Sequence, residues 1–441
     1  MRWAAERAVA ASRDCDSCLA IAEETSAAHL RWSRNSLTAN GFTRAQRLTV
    51  VAVAGDRAGV VAREGDLSPE AITGMVRAAE RTARRAPPAP DAQPLPSGES
   101  PDWAEPPVRT SFDDFGGLIP ALAEVFERDA RFSGYAERQV RTTYAASSTG
   151  LRRRHVQPSA ILDLTAENRR SSSWAGASAA DFAAVDLAAT ADEATARLHR
   201  TPRRIPLPAG DYEVLLAPSA AADFMLRFHQ SANALEALGG GSAFSAPGGG
   251  TRVGERLAGV PVTLYSDPAE QGLECAPFVL ALASTAADSV FDNGMPLSRT
   301  EWIGGGVLSA LTQTRYSARK SGLRYTPKID NLVLDGGSGT LADLIASTRR
   351  GLLVSSVWYL READPRSLLL AGVTRDGVQL VENGEIAGPV RDFRFNESPL
   401  SLLARLAEAG RTERTLPREW HGYCTRTAMP PLRVSDFGVG P

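Results

Sequence analysis

The chain has few of the residues that mark the commonest specialised protein classes. Its 441 residues include four cysteines, too few for the disulfide framework of a small secreted protein. Lys and Arg (49) nearly balance Asp and Glu (51), so no whole-molecule field attracts nucleic acid or an anionic membrane. No uninterrupted apolar run of about 18 residues occurs, which argues against a transmembrane helix. We therefore expect no nucleic acid and no membrane among its partners.

The N-terminus also lacks the pattern of a secretory signal. Charged residues begin at Arg2 and no long apolar segment follows them, so the default expectation is a cytoplasmic protein. Cys15 and Cys18 have the spacing of half a zinc ribbon, but no second pair completes four ligands. We interpret these two residues as incidental thiols.

The patterns that are present predict an α+β fold in two parts. Residues 1–205 form an N-terminal mixed α/β module, in which strand-like segments such as 18–25 and 27–33 alternate with turn residues such as Asn40-Gly41. Ser68 and the Pro after it predict the start of a helix. A Pro-rich stretch, about 86–107, predicts an extended surface connection because Pro removes backbone donors and fixes φ.

Residues 206–441 are predicted to form a mainly β C-terminal domain. A strand over 211–217 precedes one helix over 219–238, which a run of three glycines ends. Further strands are predicted, among them 352–360 and 432–437. The sequence Glu-Asn-Gly-Glu at 382–385 predicts a tight hairpin turn, since Asn-Gly supplies the positive φ values that a two-residue turn requires.

Several segments of this second part resemble hallmarks of the TldD/PmbA family. The resemblance covers the chain well from about residue 206 and, by pattern only, the N-terminal module. The matching segments are NLVLDGGS at 331–338, LADLIASTRRGL at 341–352, VENGEIAGPVR at 381–391, FDNGMP at 291–296 and RYSARKSGL at 315–323. The C-terminal part is therefore expected to have the TldD/PmbA fold.

The resemblance also implies a division of labour between two related subunit types. One type carries His-Glu-x-x-x-His and a late Cys that hold zinc, with the Glu as general base; the TldE or PmbA type lacks this set. Against that motif, His229 stands at the first ligand, Gln230 at the Glu and Ala234 at the second His. A Gln has no basic oxygen near neutral pH and a methyl group has no lone pair. We predict no catalytic and no metal-binding residue here, and zinc in the partner subunit.

Two structural expectations follow for the segment around His229. Residues five apart on a regular helix are separated by about 140° of rotation, so the family motif needs a local bend or widening. Four residues are expected to face a shared cleft and to bind substrate: His229, Gln230, Asn233 and Glu236. A different metal set, with Cys424 beside His229 and Glu236, stays open at this stage.

The resemblance predicts a non-catalytic subunit of a heterodimeric zinc metallopeptidase. Its partner would be a TldD-like zinc-binding subunit, and the pair would act on small or unfolded peptides. Two alternatives stay open. The pair could hydrolyse an amide in a small molecule of a natural-product pathway, or the chain could be a stand-alone binding or scaffold protein. Capture of a partner carrying the zinc motif separates the last alternative from the others.

Overall fold

The computed structural model describes residues 1–169, 171–198 and 205–440. Within these ranges the fold is α+β, as the sequence predicts. The predicted boundary between the two parts adjoins residues 199–204, which lie outside the described residues. No helix among the described residues combines the length and the apolar character needed to span a membrane.

The helices are α1 (Arg2–Ala11), α2 (Pro69–Arg85), α3 (Leu118–Phe126), α4 (Leu187–Ala196), α5 (Pro218–Ser231), α6 (Ala234–Leu238), α7 (Arg315–Ser321), α8 (Leu341–Ser347) and α9 (Pro399–Ala404). The strands of the first half are β1 (Ser17–Ser33), β2 (Ser36–Ala54), β3 (Arg57–Glu64), β4 (Gly98–Glu99), β5 (Arg131–Ser147), β6 (Leu151–Glu167) and β7 (Ser172–Ala179).

The remaining strands are β8 (Gly210–Leu216), β9 (Thr263–Ser266), β10 (Thr300–Gly304), β11 (Val307–Leu308), β12 (Leu332–Asp335), β13 (Arg350–Val354), β14 (Val357–Asp364), β15 (Leu369–Thr374), β16 (Val378–Glu382), β17 (Glu385–Pro389), β18 (Arg394–Glu397), β19 (Leu406–Ala409), β20 (Glu413–Thr415), β21 (Thr427–Met429) and β22 (Leu432–Val439).

The first seven strands form one sheet in the order β3-β2-β1-β5-β6-β4, with β7 also paired to β6. Successive side chains of a strand point to opposite faces. One face carries residues such as Leu48 and Val50, which pack on α1 and α2, and Leu30 and Trp32, which pack on α3 and α4. The opposite face carries no helix of this group and contacts later parts of the chain, including Phe291. One sheet face is thus covered by helices, while the other meets the rest of the protein.

The long hairpin of β1 and β2 turns at a different place from the one predicted. Asn40 and Gly41 lie inside β2, paired with Leu30 and His29, so the prediction of a turn there is wrong. The turn lies at Arg34-Asn35, whose φ values are 50° and 63°. Both residues have the positive φ that a two-residue hairpin turn requires. β1 is accordingly one continuous strand where two segments were predicted.

Asn35 is fixed in this turn by contacts that are distant in sequence. Its Nδ2 donates to the carbonyl oxygens of Phe126 and Ala130, both at 2.9 Å, and its Oδ1 accepts from the N–H of Phe132 at 2.6 Å. These bonds tie the tip of the hairpin to the connection between α3 and β5. They also explain why this Asn, and not Asn40, occupies the turn.

We expect Asn35→Ala to lower the free energy of unfolding by about 2–3 kcal/mol, because three hydrogen bonds are lost and Ala disfavours positive φ. Asn35→Gly is the matched control, since it removes the same hydrogen bonds but adopts positive φ without strain. Urea unfolding of the two variants separates the two contributions. Equal stability of Asn35→Ala and the wild type would contradict this account.

The Pro-rich stretch contains no helix, but turns at 90–91 and 101–104 interrupt it beside the short strand β4, so the prediction of an extended connection is met only in part. The prediction that it lies on the surface is wrong for Leu95 and Trp103, which are buried. Trp103 packs in the core under α1 and α2, and its Nε1 donates to Glu6 Oε1 at 3.0 Å. The stretch therefore helps to hold the sheet and its helices together.

Later strands form three further sheets, ordered β11-β10-β9-β12-β21-β20, β17-β16-β13-β8-β22-β19 and β14-β15-β18. The single strand predicted over 352–360 is wrong, since β13 and β14 belong to different sheets. The predicted hairpin turn is confirmed, with φ values of 51° at Asn383 and 82° at Gly384. Helix α5 packs in the common core of these sheets and carries the segment that the sequence singles out.

Candidate functional site

The segment from Phe228 to Ala234 contains the predicted bend. Helix α5 ends at Ser231, and Ala232 has a non-helical ψ of 62°. Asn233 then caps α6, since its side-chain oxygen accepts from the N–H of Glu236 at 2.9 Å. The single helix predicted over 219–238 is therefore wrong, because this local cap interrupts it. The interruption lies within the five-residue spacing that the zinc motif requires.

His229 is buried, with 4% of its surface exposed. Its ring lies against the indole of Trp302, with 4.9 Å between ring centroids. Nε2 has no hydrogen-bond partner among the described residues. Burial, assisted by the positive charge of Lys328, lowers the pKa of His229 to about 3. The imidazole is therefore neutral at physiological pH.

Gln230 is engaged by a neighbouring cation. Its Oε1 accepts a hydrogen bond from Arg227 Nη1 at 2.6 Å. Arg227 also pairs with Glu362 at 3.0 Å and lies over the indole of Trp420. The Gln230 amide, which the resemblance aligns with the general base of the zinc motif, is thus held by a guanidinium group.

The four predicted substrate-binding residues do not share one surface. His229 and Asn233 are buried, Gln230 is half-buried and Glu236 is exposed. Asn233 Nδ2 donates to Glu236 Oε2 at 2.8 Å, so these two side chains serve the start of α6. None of the four lines the cleft described below. Their expected role in substrate binding stays a prediction.

No group of three or more His, Cys, Asp and Glu side chains is arranged around a common metal position among the described residues. The set of His229, Glu236 and Cys424 is not such a group, because Glu236 is exposed while Cys424 is buried against main-chain oxygens of Asp330 and Arg426. The free Nε2 of His229 fits a zinc ligand, but the side chains of Gln230 and Ala234 do not. The complete zinc site of the family does not fit this chain.

A cleft of about 670 Å³ lies between the helix-free face of the first sheet and later loops. Its floor consists of alternate side chains of β1, β5 and β6, including Glu23, Arg31, Tyr135, Glu137, Gln139, Arg141, Thr143, His155, Gln157 and Ser159. The opposite wall includes Ala276, Leu280, Leu282, Asp330 and residues 421–426. The cleft joins the parts of the chain that the sequence assigns to different regions.

Hydrogen bonds fix several groups at the edges of this cleft. The Tyr135 hydroxyl donates to His421 Nε2 at 3.3 Å, while His421 Nδ1 donates to the Arg418 carbonyl at 2.8 Å. Burial, with the nearby charges of Asp163 and Glu137, raises the pKa of Tyr135 to about 12. The hydroxyl therefore stays protonated and acts as a donor.

The thiol of Cys424 is not an activated nucleophile. It is buried, and burial raises its pKa above the ordinary value. A neutral thiol is a much weaker nucleophile than a thiolate. Both ring nitrogens of the neighbouring His421 already have partners. The cleft thus offers binding groups and hydrogen-bond donors.

The polar floor was missed by sequence reasoning, although it had a signal. Tyr135, Glu137, Gln139, Arg141 and Thr143 alternate with residues of the opposite face along one long strand. A polar face of this length predicts either solvent or a binding surface. What covers it is set by loops more than a hundred residues later, at 276–282, 330 and 421–426, which no local pattern reveals.

Comparison with known families identifies the family to which this α+β chain belongs. The profile of the PmbA/TldA metallopeptidase C-terminal domain matches residues 209–441, more than half of the chain. The chain belongs to the TldD/PmbA family. This confirms the resemblance noted in the sequence.

Solved structures share the fold over nearly the whole chain. TldE from Thermococcus kodakarensis is 18% identical, with a TM-score of 0.76 over 99% of this chain and 100% of that one. A proposed modulator of DNA gyrase from Bacteroides thetaiotaomicron is 16% identical, with a TM-score of 0.76 over 100% and 98%. A similarly described protein from Thermotoga maritima is 17% identical, with a TM-score of 0.74 over 96% of each chain. No curated protein matches the sequence.

Proposed function

We propose that this chain is the non-catalytic, PmbA-like subunit of a heterodimeric zinc metallopeptidase. The observation that supports the proposal most directly is the replacement of the catalytic pattern within a chain of this family. Gln230 stands at the general base and is bound to Arg227, while Ala234 stands at the second ligand and is fully buried. An amide oxygen cannot take a proton from water near neutral pH. Hydrolysis therefore requires a second chain.

The partner in this proposal is a TldD-like subunit that supplies zinc and the general base. This chain completes a cleft for small or unfolded peptides in the cytoplasm, with its parts dividing near residue 205. The cleft of about 670 Å³ supports this role, because it has the size of a small-molecule or peptide site and is lined by fixed polar groups. Gln139 and Ser159 offer both donors and acceptors to peptide amides.

Co-expression with the chain of the same genome that carries His-Glu-x-x-x-His tests the proposal. We expect a stable complex with equal amounts of the two subunits, zinc in the partner, and peptide cleavage only by the pair. Zinc is quantified on each subunit purified separately. Stoichiometric zinc and peptide cleavage by this chain alone would overturn the proposal. Failure to form any complex with the zinc-motif chain would favour a stand-alone binding protein.

The double variant Gln230→Glu with Ala234→His is expected to recruit zinc, because it restores the family's general base and the second of its two ligating histidines. The broken helix supplies the bend that the motif needs, and His229 Nε2 is free to act as a ligand. The larger side chain at buried position 234 is expected to cost about 1–3 kcal/mol of stability. Metal analysis after equilibration with zinc and desalting measures the gain, and circular dichroism verifies folding.

Gln230→Glu alone is the control, since it lacks the second His. A folded double variant that holds no more zinc than this control would show that the motif is wrongly aligned on His229. The readout is bound metal, so it does not depend on the substrate.

A further inference from the structure

The outer half of β2 is an unpaired sheet edge. β3 pairs with β2 only from Arg47 to Ala54, whereas β1 pairs with β2 down to Ser36. The N–H of Gly65 donates to the carbonyl of Gln46, where the pairing on this side ends. Residues 36–45 therefore have β1 on one side and no backbone partner on the other among the described residues. Half of their main-chain hydrogen-bonding groups point away from the sheet.

This edge has one bulge, at Thr38 between the pairs Arg31–Ala39 and Trp32–Leu37, but none of the other usual features that prevent strands from pairing. Such features include Pro, exposed Lys, bulges that twist the edge away, or a covering helix. Residues 36–45 contain no Pro and no Lys. The one charged residue, Arg44, is bound to the buried carboxylate of Glu24 at 2.7 Å. An open edge of ten residues is a liability unless another strand covers it.

Three exposed apolar side chains, Leu37, Phe42 and Phe112, form an apolar lip along the same edge. Leu37 is 56% exposed and Phe42 is 50% exposed. Phe42 contacts the ring of Phe112, itself 41% exposed, with 4.3 Å between centroids. Leu37 and Phe42 pair with Trp32 and Ala28 of β1, which face α3 and α4, so they share the helix-covered face. A strand added to this edge would bury apolar surface as well as main-chain groups.

The other face of the edge continues the cleft floor. Ala39 and Gly41 pair with Arg31 and His29 of β1, and Arg31 lines the cleft. Ala39 and Gly41 have little or no side chain, so they do not close the cleft floor at this edge of the sheet. A strand paired to residues 36–45 would therefore extend the floor from this chain into its neighbour.

Charge distinguishes a different chain from a second copy of this one. Residues 25–47, the outer part of the hairpin, contain Arg31, Arg34, Arg44 and Arg47 but no Asp or Glu. Arg34, Arg44 and Arg47 pair with Glu167, Glu24 and Glu64, and Glu24 also binds Arg109. With Arg31, five arginines thus face three acids, and a second copy of the hairpin would add to this positive excess. Like charges across strands destabilise pairing, whereas opposite charges stabilise it. The edge therefore fits a strand that carries acidic side chains.

We propose that residues 36–45 of β2 are the docking edge for the zinc-carrying partner subunit, which adds an acidic edge strand of its own and so extends the cleft floor across both chains. This inference rests on the proposed function and names the surface that joins the subunits. Main-chain hydrogen bonds supply affinity, and the lip of Leu37, Phe42 and Phe112 supplies apolar contact.

Leu37→Glu with Phe42→Glu tests the edge, because both side chains are exposed in the free chain and their loss leaves its core intact. We expect binding to the zinc-motif chain to weaken at least about tenfold, a change of roughly 1.4 kcal/mol. Ile386→Glu is the matched control, since Ile386 is 40% exposed on a different sheet. The wild-type affinity should also fall as NaCl concentration rises, because the proposed pairing joins opposite charges.

Hydrogen exchange provides a second measurement that needs no substitution. The amides of residues 36–45 that point away from β1 should become protected when the partner is added. Unchanged affinity of the double variant together with unchanged exchange would overturn the docking edge while leaving the heterodimer intact. Absence of any complex with the wild-type chain would overturn the proposed function itself. Self-association that the same variant abolishes would assign the edge to a second copy and would also overturn the inference.

Discussion

Acidification from pH 7 to pH 5 is expected to lower the free energy of unfolding by about 2 kcal/mol through His229 alone. Burial, and then the charge of Lys328, lowers the pKa of His229 from 6.5 to about 3 in the folded protein. Between these values the unfolded chain binds a proton that the folded chain does not bind. The contribution is therefore complete above pH 6.5 and is lost progressively as pH falls towards 3.

His229→Phe should remove this pH dependence. The apolar ring keeps contact with Trp302, and the nitrogen that lacks a partner is gone. Urea unfolding at pH 7, 6 and 5 gives the slope for each protein. The comparison between wild type and variant is needed because Asp223 acts in the opposite direction. Burial raises the pKa of Asp223 from 3.8 to about 8, so its contribution is lost as pH rises. Equal slopes for the two proteins would show that His229 does not titrate as expected.

Local sequence chemistry predicted the elements whose ends are fixed by their own residues. Ser68 accepts from the N–H of Ala71 at the start of α2, and Asn383-Gly384 forms the hairpin turn. The same chemistry was misleading at Asn40-Gly41, because a longer hairpin was available. Asn35 binds main-chain groups of residues 126–132, which no pattern within the hairpin reveals.

The candidate site shows even more clearly that local patterns do not predict contacts between distant segments. The motif around His229 predicted a bend, and α5 is interrupted there. It did not predict that the ring would face Trp302, or that Gln230 would be held by Arg227. The cleft forms only where β5 and residues 421–426 lie opposite each other. These features arise from contacts between segments that are far apart in sequence, whereas capping and turns involve neighbours.

Helix α8 is a further case in which a contact from a distant segment replaces a predicted local one, and its contribution to stability can be measured. Thr340 as a capping residue and Arg349-Arg350 nine residues later are a pattern that predicts a helix from Leu341 to Arg350, with two arginines at its negative end. The helix ends at Ser347, and Arg350 begins β13. The groups at its C-terminal end are instead bound by Arg433 of β22, which contacts the Leu344 carbonyl and the hydroxyls of Ser347 and Thr348. Arg433, which lies on a distant strand, therefore binds the end of α8 in place of the helix's own arginines.

Arg433→Met is expected to lower the free energy of unfolding by about 3 kcal/mol, because it removes three hydrogen bonds at the end of α8 and two ion pairs with partly exposed carboxylates. Arg433 is 8% exposed and also pairs with Glu213 at 3.2 Å and Glu408 at 3.1 Å. Its removal leaves both carboxylates without this cation and the end of α8 without its donors. Met keeps an unbranched apolar stem of similar length, so lost packing contributes little.

Arg433→Lys should lose less stability than Arg433→Met, because Lys keeps the positive charge. It should still be less stable than the wild type, because an ammonium group cannot reproduce five guanidinium donors in a fixed plane. Arg391→Met is the matched surface control, since Arg391 is exposed, and it is expected to change stability by less than about 0.5 kcal/mol. Chemical unfolding of the three variants at pH 7 ranks them. If Arg433→Met resembled the surface control, the end of α8 would be stabilised by its own residues after all, as the sequence pattern alone indicated.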